Sequence, residues 1–144
     1  MLSRTAEYAL RAIVWLSGHP ESWVSGPRLA AATQVPPDYL AKVMASLVRA
    51  GLVEGQRGKN GGFSLVSSPE DLTVLDVINA VEPVRRIRSC PLGLPGHEAL
   101  CPLHRSLDDI AGQLERAYGA IRLADLLRST GVQPLCPVAE APCA

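Results

Sequence analysis

Near the N-terminus the apolar residues fall on a helical stripe. In SRTAEYALRAIVWLS, Ala6, Ala9, Leu10, Ile13 and Leu16 recur at steps of three and four, which predicts an amphipathic helix over about residues 3–17. Ser3 is placed to cap its start, and Gly18 and Pro20 to end it. A shorter pattern begins at Ser25, a capping residue with Pro27 in the first turn, and carries Leu29, Ala30 and Ala31 to about Thr33. Gln34 and Val35 form a tight turn. A third pattern opens with Pro36, Pro37 and Asp38 and runs to about Ala50. Its apolar face is Leu40, Val43, Met44, Leu47 and Val48, and Gly51 is its stop. Two short helices joined by a brief turn, the second amphipathic, predict a helix-turn-helix.

The period then changes. Leu52-Val53-Glu54 and Phe63-Ser64-Leu65-Val66 are short strand candidates, separated by GQRGKNGG over residues 55–62. Glycine with Gln, Arg, Lys and Asn makes a flexible basic hairpin tip. A helix-turn-helix followed by a basic β-hairpin predicts a winged helix, mainly α with a small β-hairpin. TVLDVINAVE predicts a further helix over about residues 73–82, with Val74, Val77, Ile78 and Val81 as its stripe and Pro83 as its end.

Residues 84–101 are irregular and rich in Pro and Gly. From about 102 to 129, Leu103, Leu107, Ile110, Leu114, Ala117, Ile121 and Ala124 alternate steps of four and three. This predicts one long helix with a heptad seam. A seam of that length has no partner of its own size in the chain, so a two-fold homodimer is the economical cover; packing on its own domain is the alternative. The expected division is a winged helix-turn-helix domain over 1–83, a sensor loop over 84–101, a dimerisation helix over 102–129 and a disordered tail over 130–144.

Charge adds direction to this outline. The formal net charge is +0, which argues against a general polyanion binder. Residues 22–67, however, hold Arg28, Lys42, Arg49, Arg57 and Lys59 against Asp38 and Glu54. A local basic surface on a helix-turn-helix suits DNA. The N-terminal half of the second helix is expected in the major groove, with Asp38, Tyr39 and Lys42 on its leading turn. Arg57 is expected to enter an adjacent minor groove from the hairpin tip, with Lys59 and Asn60 on flanking phosphates. Ser25 and Pro37, at the two helix starts, complete the expected contact set.

Arg4, Glu7 and Arg11 interrupt any signal-peptide layout, and no apolar run reaches the length of a membrane span. A cytoplasmic protein is expected. Its four cysteines, Cys90, Cys101, Cys136 and Cys143, then point to ligand or redox chemistry before structural disulfides. No nucleophile–base pair stands out, and GQRGKNGG lacks the spacing of a phosphate-binding loop, so an enzyme is not expected.

The sequence resembles the IscR/NsrR family of bacterial winged-helix regulators. The resemblance is carried by SRTAEYALRAIVWL, by VPPDYLAKVMASLVRAGLVEGQRGKNGGFSL and by TVLDVINAVE, over about residues 1–128. It implies a homodimer on a palindromic double-stranded operator, with long C-terminal helices crossing between subunits. It also implies a [2Fe–2S] or [4Fe–4S] cluster held by three cysteines between the post-wing helix and the dimer helix. Here Cys90 and Cys101 match the first and last of these, and the middle one is absent, with Pro95, Gly96 or His97 near its place. His104 matches a fourth ligand of one branch, and Glu7 an acidic ligand that another branch supplies from the partner subunit.

The reading adopted is a [2Fe–2S] cluster on Cys90, Cys101 and two of His104, His97 and Glu7. The alternative is a cluster-free member that senses by thiol oxidation, a small molecule or a protein partner. Glu7 also has Arg11 four residues on as a salt-bridge partner, and His97 also reads as a solvated loop residue. Cys136 and Cys143 lie outside the family pattern.

Overall fold

The first helix is the hub on which most of the other helices pack. The computed structural model describes residues 2–20, 22–96 and 98–128. In it α1 spans Arg4–Ser17, with Ser3 Oγ accepting from the Ala6 N–H and Gly18 closing the end. Ala6, Ala9, Ala12, Ile13 and Leu16 are buried, and the small side chains let neighbouring helices approach closely. The helix-turn-helix follows as α2 (Gly26–Thr33), capped by Ser25, and α3 (Pro37–Arg49). Gln34 takes a left-handed conformation between them. Leu40, Val43, Met44 and Leu47 are buried against α1 and α2, and burial of this kind is worth about 1.5–3 kcal/mol per side chain. Val48, expected on this face, is 38% exposed. The helix turns it onto the exposed stripe it shares with Asp38, Ala41 and Ala45, while Leu47 beside it faces the core.

The wing is an antiparallel pair, β1 (Val53–Gln56) and β2 (Gly62–Leu65), with Val53 opposite Leu65 and Gln56 opposite Gly62. Val24 adds an isolated bridge to Phe63, exchanging N–H···O bonds of 3.0 and 2.7 Å. This bridge ties the hairpin to the start of α2. It also explains Gly62, which has φ +144° and no room for a Cβ against the Val24 carbonyl. Gly62→Ala is therefore expected to cost about 2 kcal/mol or more and to expose the Phe63 amide. Urea unfolding with amide hydrogen exchange measures both, and an unchanged midpoint would remove this explanation of the glycine.

Helix α4 spans Val74–Val81 and starts in a full capping box, Thr73 Oγ1 accepting from Asp76 N–H and Asp76 from Thr73 N–H. Helix α5 spans Pro102–Gly119, and here the sequence expectation needs correction. The long helix over 102–129 is broken. After Gly119 the chain turns, pairs Arg122 with Thr73 and re-enters as α6 (Leu123–Arg128). Leu123 N–H donates to Leu72 O at 2.9 Å and Ala124 N–H to Pro69 O at 3.0 Å. Leu123 is fully buried in the same core as α1. Burying Leu123 and Ala124 and pairing those amides outweighs a few more turns of solvent-exposed helix, whose intrinsic gain per residue is small. The seam is thus shortened. Leu103, Leu107 and Ile110 are exposed at 62%, 45% and 54%, whereas Ala124 belongs to its own domain. No described helix is long and apolar enough to cross a membrane. The tail, with Cys136 and Cys143, lies outside the described residues.

Candidate nucleic-acid interface and metal centre

On α3, beyond Pro37 at its start, the exposed positions are Asp38, Ala41, Lys42, Ala45, Val48 and Arg49, one stripe at steps of three and four. Lys42 and Arg49 supply the positive charge. Ala41 and Ala45 keep the helix surface low between them, so that its backbone can approach a groove floor; sequence reasoning passed over both because alanine carries no polar signal. Asp38 sits in the first turn after Pro37. Tyr39 is placed differently from its neighbours. Its hydroxyl is 2.6 Å from Thr5 Oγ1 and its ring meets Tyr8 edge-on at 5.1 Å, so it fastens α3 to α1. Arg57, Lys59 and Asn60 are exposed at the wing tip. Ser25 is committed to the α2 cap through Arg28 N–H, and Arg28 itself lies over the Trp15 ring at 5.7 Å.

The second site lies where the irregular strap after α4 meets the start of α5. Cys101 is the N-cap residue of α5, with Pro102 in the first turn, and His104 is one turn in. Cys90 is buried part-way along the strap. His104 Nδ1 is 3.1 Å from Cys101 Sγ and 3.8 Å from Cys90 Sγ, and the three ligand atoms lie within 4.8 Å of one another. Both cysteines are thiols, not disulfides. Two soft thiolates and an imidazole converging in this way suit zinc, copper or an iron–sulfur group. Glu7 is not with them in the same chain. It accepts from Arg11 Nε at 3.0 Å on α1. His97 lies outside the described residues.

A cation clamp beside this trio was invisible in the sequence. Arg86 Nε and Nη2 each donate to Asp108 at 2.8 Å, and Nη1 donates to Glu115 at 2.9 Å. Ile87 N–H adds a bond to Asp108 at 2.8 Å. Gly112 lies beneath the guanidinium, where a Cβ would stand 3.3 Å from it. The Arg86 fork, then the Ile87 N–H, holds the Asp108 carboxyl down at about 2. The folded value is depressed, so its stabilising contribution is present above the ordinary carboxylate range and is lost as pH falls through about 2.

Residues 2–129 match the profile of the Rrf2 family, described as "Iron-dependent Transcriptional regulator". The chain belongs to the Rrf2 family. It is similar to the HTH-type transcriptional regulator NsrR of Geobacillus kaustophilus, 29% identical over 88% of this chain and 88% of the relative. Among solved structures it resembles T. potens IscR, with TM-score 0.72 and 26% identity over 89% of this chain and 86% of that one. It also resembles CymR, the global cysteine regulator of B. subtilis, with TM-score 0.69 and 25% identity over 88% and 95%. The winged-helix fold expected from the sequence is the fold these neighbours share, and this Rrf2 chain is a transcriptional regulator that acts on DNA, not a catalyst.

Proposed function

We propose that this Rrf2-family chain is a homodimeric, sequence-specific regulator whose operator affinity is set by an iron–sulfur group on Cys90, Cys101 and His104. The observation that carries the reading is the convergence of these three side chains at the junction between the DNA-binding domain and the exposed apolar face of α5. The donor set fits: two thiolates supply the soft ligands iron–sulfur groups require, and an imidazole takes a third position. A fourth falls to Glu7 of the other subunit or to His97, with a [2Fe–2S] group as the preferred form. When bound, such a group supplies a centre sensitive to oxidants and nitric oxide.

The rest is work of the protein. Helix α3 offers Lys42, Asp38 and its alanine floor to the major groove, and Arg57 the minor groove, with Lys59 and Asn60 on phosphate. Ser25 and Pro37 stand at the starts of α2 and α3, where the positive end of the helix dipole favours a phosphate. Tyr39 sets the pitch of α3 through Thr5 and Tyr8. Two such surfaces bind successive turns of a palindrome only when their spacing is right. Helix α4 packs on both α3 and α5, so a shift of Cys90 relative to Cys101 and His104 moves the dimer helix against the reading head.

A cysteine switch is the second reading, favoured by the closeness of the two Sγ atoms and by the likeness to CymR. Here peroxide would take two electrons and two protons from Cys90 and Cys101, giving a disulfide and two waters. Anaerobic purification with iron and sulfide analysis, alongside DNA binding across a salt series, separates them. The cluster reading expects a coloured protein with iron and sulfide, lost in Cys90→Ala. A colourless, metal-free protein whose DNA affinity responds to peroxide supports the switch. Salt-independent binding without sequence preference would remove the DNA reading altogether.

A further inference from the structure

Two of the three ligand residues, Cys101 and His104, take their spacing from α5 itself. Cys90 arrives separately, part-way along a strap without helix or strand, and its position needs another cause. That cause lies four residues earlier. His104, Asp108, Gly112 and Glu115 follow at steps of four, four and three along α5, and so form one stripe facing the strap. This stripe is about a third of a turn from the apolar stripe of Leu103, Leu107 and Ile110. The Arg86 guanidinium lies across its middle, bidentate to Asp108 and singly bonded to Glu115. The Ile87 N–H docks on the same carboxylate. An isolated exposed ion pair carries little, but a bidentate fork in a network with a backbone donor fixes geometry as well as charge. Glycine in the interior of a helix is unfavourable, and Gly112 provides the flat seat the guanidinium occupies.

We infer that Arg86 is the positioning residue of this site: its fork on Asp108 and Glu115, seated over Gly112, sets the register of the strap and holds Cys90 beside Cys101 and His104 before any metal binds. Its importance for sensing rests on the function proposed above. The positional claim concerns the metal-free chain and is tested there.

The test uses the full chain, reduced and metal-free. Iodoacetamide labelling of Cys90 and Cys101 is followed separately by peptide mass, and Co(II) serves as the metal probe through its thiolate charge-transfer band. In Arg86→Gln, Cys90 is expected to label about tenfold faster while Cys101 keeps its rate, and Co(II) affinity to fall about 10–100-fold. Asp108→Asn should reproduce both effects, and the double variant should add little, because both changes break the same Arg86–Asp108 fork. Should Arg86→Gln lose its helical circular dichroism, Asp108→Asn decides by the same two rates. Cys90 labelling within about twofold of wild type, or Cys101 rising in step with it, overturns the inference. A wild-type protein without iron whose Cys90 is nonetheless exposed by Arg86→Gln overturns the cluster reading and leaves the clamp standing.

Discussion

In a Leu107→Glu/Ile110→Glu double variant, affinity for a selected operator should fall by at least about 100-fold while each subunit stays folded. Both side chains are half exposed in the single chain and outside its core, so their replacement costs the subunit little. Against a second copy they would bury ionised carboxylates on an apolar face, at a desolvation cost of several kcal/mol per charge. The dimer then falls apart, and a single reading head loses the avidity that two linked half-sites confer. Light scattering after gel filtration reports the oligomeric state, and fluorescence anisotropy with labelled duplex reports affinity. A variant that remains dimeric would show that the α5 stripe is covered by something else. A monomer binding like wild type would show that pairing is not needed for recognition.

The second large effect is expected from Cys101→Ser, and its value lies in separating ligation from folding. Cys101 is the N-cap of α5 but makes no side-chain cap bond. Serine is a better cap, commonly worth about 0.5–2 kcal/mol over a residue that does not cap, so the apo variant should melt at the wild-type temperature or above it. Its hydroxyl is a poor replacement for a soft thiolate. Iron in the anaerobically purified protein should therefore fall from about two atoms per subunit, the content of a [2Fe–2S] form, to a small residue. Iron and sulfide analysis with a thermal melt of the apo protein reads both halves. Full iron in the serine variant would remove Cys101 from the ligand set, whatever its effect on transcription.

Local signals carried the sequence reading a long way. Ser3, Ser25, Pro37 and Gly51 each act within one turn of their own position, and the structure places helix ends beside all four. The alternation between Leu52 and Val66 with a glycine-rich centre left few options besides a hairpin. The same locality explains the misses. Heptad spacing runs through Ile121 and Ala124 without a break, because periodicity does not record whether a residue is buried by its own chain or by a copy. Leu123, off the seam by that count, is the residue the core takes up. Arg86 has Asp108 and Glu115 as partners 22 and 29 residues away, a separation that no motif spans.

By itself, then, the order of residues marked most of the helix ends, the hairpin and the winged-helix class, and through the family resemblance it offered Cys90, Cys101, His104, His97 and Glu7 as candidate ligands. Periodicity, capping and turn chemistry are short-range and leave their mark in neighbouring letters. Only the packed chain decided that α5 ends at Gly119, that Tyr39 braces α1, that Gly62 is demanded by Val24 and that a guanidinium moors the strap carrying Cys90. Each of those depends on which distant surfaces compete to exclude water or share a carboxylate, and that competition is resolved in three dimensions.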